Sequence, residues 1–285
     1  MTRVPEGPPP SSIELERRAF RRRQSTRSIV IGAVSTVVFA IVVWLTVINT
    51  PGWARVQASF FDPQTALAAL PRVGTGFVTN LRILAFAVVG VAVLGTFIAF
   101  LRTLRGAVFF PLRALAAGYT DLFRGMPLII VLYLVGFGIP GLVQQRISTE
   151  LLGTVALVLT YSAYVAEVLR AGIEGVHPSQ RLAARALGLS HAKTLRLVVL
   201  PQAIRRQAPA LMNDFVSMQK DVGLVSVLGA VDAVRAAQIE TAKFADFTPY
   251  VVAAVLFVLL AIPSIRFTDW YSARLRRREQ IGAIV

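Results

Sequence analysis

The chain alternates long apolar runs with short polar and basic segments, and six of the runs are near bilayer length. Crossing the hydrocarbon core takes roughly 20 mostly apolar residues as a helix. The first run, IVIGAVSTVVFAIVVWLTVI, covers Ile29 to Ile48. It is longer than a signal-peptide core and lacks a small-x-small cleavage site, so it reads as an anchor. The others fall at about 79–101, 114–137, 151–171, 208–230 and 248–268. The third and fifth carry charges near their cytoplasmic halves, which makes them the weakest of the six span signals.

The cations between the runs orient them, because loops rich in Lys and Arg stay on the cytoplasmic side. The segment before the first run holds Arg17, Arg18, Arg21, Arg22, Arg23 and Arg27, and the next cytoplasmic loop holds Arg102, Arg105 and Arg113. The 170–207 stretch carries Arg170, Arg181, Arg185, Lys193, Arg196, Arg205 and Arg206, and the C-terminus carries Arg274, Arg276, Arg277 and Arg278. Alternate loops have few cations and include the acids Asp62, Glu150, Asp232, Glu240 and Asp246. Every loop agrees with six spans and both termini in the cytoplasm. The organisation expected is a basic tail (1–28), a transmembrane helix (29–48), an external segment (49–78), a transmembrane domain (79–271) containing the cytoplasmic loop 172–207, and a cytoplasmic tail (272–285). The first dozen residues are Pro-rich and expected to be disordered. The RRAFRRR cluster after them reads as an orientation signal that also meets anionic lipid, and Trp53, Phe60 and Phe61 read as interfacial anchors.

Composition supports this class and removes others. The 285 residues are 55% hydrophobic and 16% charged, with mean hydropathy +0.64. The formal charge of +15 belongs to membrane-flanking clusters rather than to a nucleic-acid-binding face. With no cysteine there is no thiolate metal site or disulfide framework. None of the lysines Lys193, Lys220 and Lys243 follows a glycine-rich phosphate loop, so nucleotide is not held by that route. His177 and His191 have no ligand spacing and read as solvated or capping residues. Without a hydrolase motif, transport or scaffolding remains.

The stretch ARALGLSHAKTLRLVVLPQA (184–203) is the most informative. Ala183, Ala184 and Ala186 let a short helix approach another surface closely, and Gly188 frees the backbone to turn at its end. Arg181 and Arg185, one turn apart, are expected to form a basic stripe beside the alanines. Pro201 is expected to stop the second helix before the chain re-enters the bilayer. Such a hairpin suits docking to a soluble partner, or lying on headgroups.

This loop resembles the signature of permease subunits of ATP-driven (ABC) importers, E-A-A-x-x-x-G followed after nine residues by I-x-L-P. Ala183, Ala184, Gly188, Val198, Leu200 and Pro201 fall at the required offsets, with Leu182 where the family has glutamate. The flanking AYVAEVLRAGIEGV, ALGLS, LPQAIRR and FRGMPLII segments resemble permeases for polar amino acids. The resemblance covers roughly residues 65–275 and implies an all-α integral membrane protein, a type I ABC importer permease (MetI-like) bundle with one additional N-terminal helix. It implies coupling to the ATPase through Arg181, Leu182, Ala183, Ala184, Arg185, Ala186, Gly188, Leu189 and Pro201. It further implies a pair of ATPase subunits holding ATP and magnesium, a second copy or a sister permease, and an extracytoplasmic amino-acid-binding protein. The setting is a bacterial inner membrane, with lipid as a partner and no cofactor or nucleic acid on this chain.

Ionisable residues inside spans are costly and mark pathways or pairs. Asp121 with Arg124, and Glu167 with Arg170, are spaced i, i+3 and are expected to pair or to line the route. Asn213, Asp214, Ser217, Lys220 and Asp221 follow one another along the fifth span and offer both a cation and acceptors to a zwitterion. The function expected is passage of a polar or charged amino acid, driven by a separate ATPase. The alternative is a secondary transporter or channel working without one.

Overall fold

A computed structural model describes residues 11–282, and all regular structure among them is helical. The first ten residues, where disorder is expected, lie outside the described residues, as do most side chains of the RRAFRRR cluster. The chain forms two units, Met1–Ala58 and Ser59–Val285. The first unit contains α1 (Ser12–Ile48), capped by Ser11, whose hydroxyl accepts from the Glu14 N–H. Helix formation at Ser12 shortens the expected irregular start. The apolar part of α1 is exposed on every side, as expected of a helix solvated by lipid. A short α2 (Trp53–Phe60) follows.

The second unit is built on α3 (Pro63–Thr103), whose N-terminus is fixed by the Asp62 carboxylate accepting from the Thr65 N–H at 2.8 Å. After a single tight turn come α4 (Phe110–Gly125) and α5 (Leu128–Val143), then α6 (Thr149–Glu174). The cytoplasmic loop folds as α7 (Pro178–Ala186) and α8 (His191–Thr194). A π-helical turn, Leu195–Val199, leads into α9 (Leu200–Asp221). A 3₁₀ segment, Val222–Leu228, precedes α10 (Ala233–Phe244) and α11 (Thr248–Gly282). Among the described residues, four helices are long and apolar enough to cross a membrane, or up to six if each of two bent pairs counts as one span.

The third expected span is not one helix. Met126 precedes Pro127, and proline pushes its predecessor out of the helical region; Met126 sits at φ −98°, ψ 136°. The result is a bend of 109° between the segments 107–125 and 128–143. The fifth stays helical through Leu228, passing from α to 3₁₀ geometry at Val222, and a bend of 55° follows at its end, before α10.

Helix α6 lies against α3, α5 and α9. Ile83, Leu84 and Val91 of α3 meet Val131 and Leu132 of α5, Leu157 of α6 and Val225 in one buried cluster. On α10, small residues allow close approach without a hydrophobic driving force between helices: Ala233, Ala236 and Ala237 pack on Ala69 and Val73. Gly76 sits at this contact, where a Cβ would lie 2.5 Å from the Asp232 carbonyl.

Asp232, in the connection between the fifth and sixth expected spans, is fully buried as the N-cap of α10. Its carboxylate accepts from the Arg235 N–H at 2.9 Å and from the Asn80 amide at 3.1 Å. Asn80 also accepts from the Ala233 N–H at 2.9 Å and donates to the Val222 carbonyl at 3.2 Å. One buried amide therefore satisfies both ends of the break between α9 and α10, where backbone groups would otherwise face hydrocarbon. On the same helices, Glu240 is buried and pairs with Arg72 at 3.1 Å and Lys243 at 3.6 Å.

Candidate functional site

The cytoplasmic loop forms a short knob with a defined end. The His177 ring accepts from the Ser179 N–H at 3.2 Å, capping α7. At its C-terminus Gly188 takes φ +80°, its N–H donates to the Arg185 carbonyl at 3.0 Å, and the Leu189 N–H reaches back to Ala184 at 3.2 Å. This is the double-bonded left-handed cap that favours glycine. Ala184 is buried, while Leu182, Ala183, Arg185 and Ala186 are exposed and Leu187 is 83% exposed. The expected basic stripe does not form. Arg181 turns inward and donates to the Ile173 carbonyl at the end of α6, leaving Arg185 alone beside the leucines.

Pro201 does not end the second helix. The chain continues helical from His191 through Asp221. A proline lacks an N–H and crowds the carbonyl four residues back. The preceding turn widens to π geometry, with the Leu200 N–H bonded to the Leu195 carbonyl. The side-chain amide of Gln202 uses the Val198 carbonyl at 3.0 Å.

A charge node ties α3, α4 and α6 together. Glu167 accepts from Arg102 at 2.6 Å and from Arg170 at 2.6 Å, with Arg124 3.9 Å away. Arg102 also donates to the buried Thr120 hydroxyl at 3.1 Å, and Arg170 pairs in addition with Glu174. The expected Glu167–Arg170 pair is present. Asp121 and Arg124 do not pair: Arg124 turns to Glu167, and Asp121 stays exposed.

Deeper in the bundle, a cavity of about 300 Å³ opens at the α4–α5 break. It is lined by Met126, Pro127 and Leu128, by Thr160, Tyr161 and Tyr164 of α6, and by Asp214, Ser217 and Asp221 of α9. The Tyr161 hydroxyl donates to Asp221 at 2.7 Å, and the Arg124 guanidinium lies 6.0 Å from the Tyr164 ring centre. A second, apolar cavity of about 350 Å³ shares Tyr161 and Asp214 and extends along Val88, Val91, Phe215 and Met218. Of the residues expected along the pathway, Asp214, Ser217 and Asp221 line the polar cavity. Asn213 and Lys220 are exposed on another face of α9, and Asp121, Arg124 and Glu167 lie outside the lining. Spacing separates the two sets: Asp214, Ser217 and Asp221 fall at i, i+3, i+7, one helical stripe. The lining from α6, Thr160, Tyr161 and Tyr164, is absent from the sequence reading. Its signal was the hydroxyl-bearing cluster inside an apolar run.

Residues 93–277 match the family described as binding-protein-dependent transport system inner membrane component, and the chain belongs to that family. It is a multi-pass inner-membrane permease subunit of an ABC importer. It is 31% identical over 202 residues to the arginine transport system permease protein ArtQ of Bacillus subtilis (strain 168), covering 70% of this chain and 91% of the relative. It is also 31% identical over 203 residues to the probable glutamine ABC transporter permease protein GlnM of the same organism, covering 71% and 92%. A crystal structure of an amino acid ABC transporter with histidines superposes with TM-score 0.68 at 33% identity, covering 75% of this chain and 98% of that one.

Proposed function

We propose that this chain carries a polar or charged amino acid across the inner membrane, driven by ATP hydrolysis on a separate pair of ATPase subunits. An extracytoplasmic binding protein delivers the substrate, and a second copy or a sister permease completes the pathway. The relatives' amino-acid names support the substrate class. The carrying observation is how the knob is attached. Helix α7 follows α6 directly and leads through α8 into α9, and those two helices supply Thr160, Tyr161, Tyr164, Asp214, Ser217 and Asp221 to the polar cavity.

Mechanically, the exposed face of Leu182, Ala183, Arg185, Ala186 and Leu187 seats in a groove of the ATPase. Closure of the ATPase pair on ATP moves α7, and the movement passes to the cavity walls through α6 and α9. The chain itself performs no hydrolysis. The substitutions Gly188→Asp, strained at φ +80°, and Arg185→Glu are each expected to abolish ATPase co-purification or ATP-coupled uptake. Uptake that survives both changes removes the docking role. Uptake by the permease without ATPase subunits, driven by an ion gradient, replaces it with secondary transport.

A further inference from the structure

The last helix carries an exposed stripe that solute transport does not use. Buried Ala253 and Ala261 turn one side of α11 toward the bundle, while Val258, Ile262, Arg266, Trp270 and Arg274 are exposed. Their spacing of four residues stacks them on a single helical face. Thr248, the first residue of the helix, is buried, and its hydroxyl accepts from the Asp62 N–H at 3.2 Å. From there the helical rise puts Arg266 about 27 Å along the axis, Trp270 about 33 Å and Arg274 about 39 Å. The hydrocarbon core is about 30 Å thick. In the orientation read from the loop cations, Arg266 stands at the inner edge of the core, Trp270 in the interface and Arg274 among the headgroups.

Such a position calls for an anion. A cation at the edge of hydrocarbon is costly unless it is paired. Among the described residues Arg266 has neither an ion pair nor a hydrogen bond, and Asp269, three residues on, does not pair with it. The Arg274 guanidinium folds back onto Trp270, 5.4 Å from the ring centre, and Trp270 stacks on Phe267 at 5.7 Å. Arg274 therefore leans toward the bilayer rather than into the cytoplasm. Snorkelling carries the Arg266 head to the same level from below. Two arginines against Asp269 leave this face with a net charge of +1.

We propose that this stripe is a binding site for a phospholipid of net negative charge in the cytoplasmic leaflet. The phosphodiester is held between Arg266 and Arg274, whose planar guanidinium forks match phosphate oxygens. Phe267 and Trp270 support the glycerol region, as aromatic rings do at membrane interfaces. The acyl chains run along Ile262 and Val258 toward the bilayer centre. In a zwitterionic lipid the headgroup ammonium offsets the phosphate and is itself repelled by the arginines. A headgroup with net negative charge has no such opposition. The arginine clusters at the two ends of the chain attract anionic membrane diffusely; here the charge is joined to one defined stretch of acyl contact.

The test uses the full chain in phosphatidylcholine nanodiscs, with Trp44 and Trp53 replaced by phenylalanine so that Trp270 is the reporter. Brominated phosphatidylglycerol is titrated in, against brominated phosphatidylcholine with the same chains, and quenching gives the relative association constant. Phosphatidylglycerol is expected to be favoured roughly twentyfold, and Arg266→Gln and Arg274→Gln each to lower that preference about fivefold, the worth of one arginine near a charged surface. The double variant should erase it. Arg196→Gln, which removes the same charge from the exposed cytoplasmic loop, should leave it unchanged. Thermal unfolding midpoints confirm that each variant is folded. Equal quenching by the two lipids, or a preference that survives in the folded double variant, overturns the proposal. So does displacement by inorganic phosphate, which makes the site one for free anion. Shielding of Trp270 from both brominated lipids overturns it as well, because protein, such as a second copy, then covers the stripe.

Discussion

Asn80 shows how much of this bundle depends on a single side chain. It is fully buried, and its amide reaches the Val222 carbonyl, the Asp232 carboxylate and the Ala233 N–H. A leucine of similar volume fits the space, removes the Asn80 bonds to the Val222 carbonyl and the Ala233 N–H, and leaves one Asp232 oxygen unpaired while the other keeps the Arg235 N–H. Each orphaned buried group costs about 1–3 kcal/mol. Asn80→Leu is therefore expected to destabilise the protein by about 3 kcal/mol or more, as a drop in thermal unfolding midpoint in detergent, while a surface change such as Asp269→Asn moves it little. Nothing in the sequence marks Asn80. It stands within VTNLRILAF, near one end of an apolar run, and its partners lie some 140 residues or more away. The burial of Asp232 was illegible for the same reason: an acid in a loop between apolar stretches shows nothing of a long-range partner. Gly188 was legible because its signal is local, a glycine just past a short helix, and it takes the left-handed conformation that position calls for.

Among the elements, the breaks were harder to read than the helices. Apolar run length located the long spans, because burial in lipid depends on composition alone. The bend at Met126–Pro127 was written in the X-Pro step, but a run that stays apolar on both sides hides it. The π turn before Pro201 was read instead as a stop. A proline near the start of a helix and one within it look alike, and only the continued helical path to Asp221 separates them. That turn sits between the α7 knob and α9, so its geometry sets how the two are rotated about the helix axis. Replacing the ring with a methyl group restores an N–H and removes the clash that holds the turn open. Pro201→Ala is expected to leave expression and assembly near normal. It should lower the ratio of transported substrate to ATP hydrolysed several-fold, measured in proteoliposomes. An unchanged ratio argues that the π turn is passive.

At the level of the whole molecule, a partly buried cluster of charge joins separate parts of the bundle. The Glu167 node links three helices and neutralises arginines that would otherwise repel one another. Glu167→Gln leaves Arg102, Arg124 and Arg170 facing a neutral amide. The side chains are only partly solvated, 16–26% for Arg102, Arg170 and Glu167. The expected loss is about 2 kcal/mol, somewhat below the range for a fully buried pair. Thermal unfolding should show it, and raising salt should narrow the gap between the two proteins.

The separate unit Met1–Ala58 has a consequence for biogenesis. Its apolar helix, mean hydropathy 2.5 over its best window and preceded by a dense arginine cluster, emerges from the ribosome before any of the weaker or broken spans. The first strongly apolar segment usually fixes the orientation of those that follow. A helix bent by 109° and one interrupted by a 3₁₀ segment are poor topological signals on their own. The helix of this unit is therefore expected to bias how the segments after it are oriented during insertion, and deleting it should lower the fraction of protein inserted with its C-terminus in the cytoplasm, read by protease accessibility.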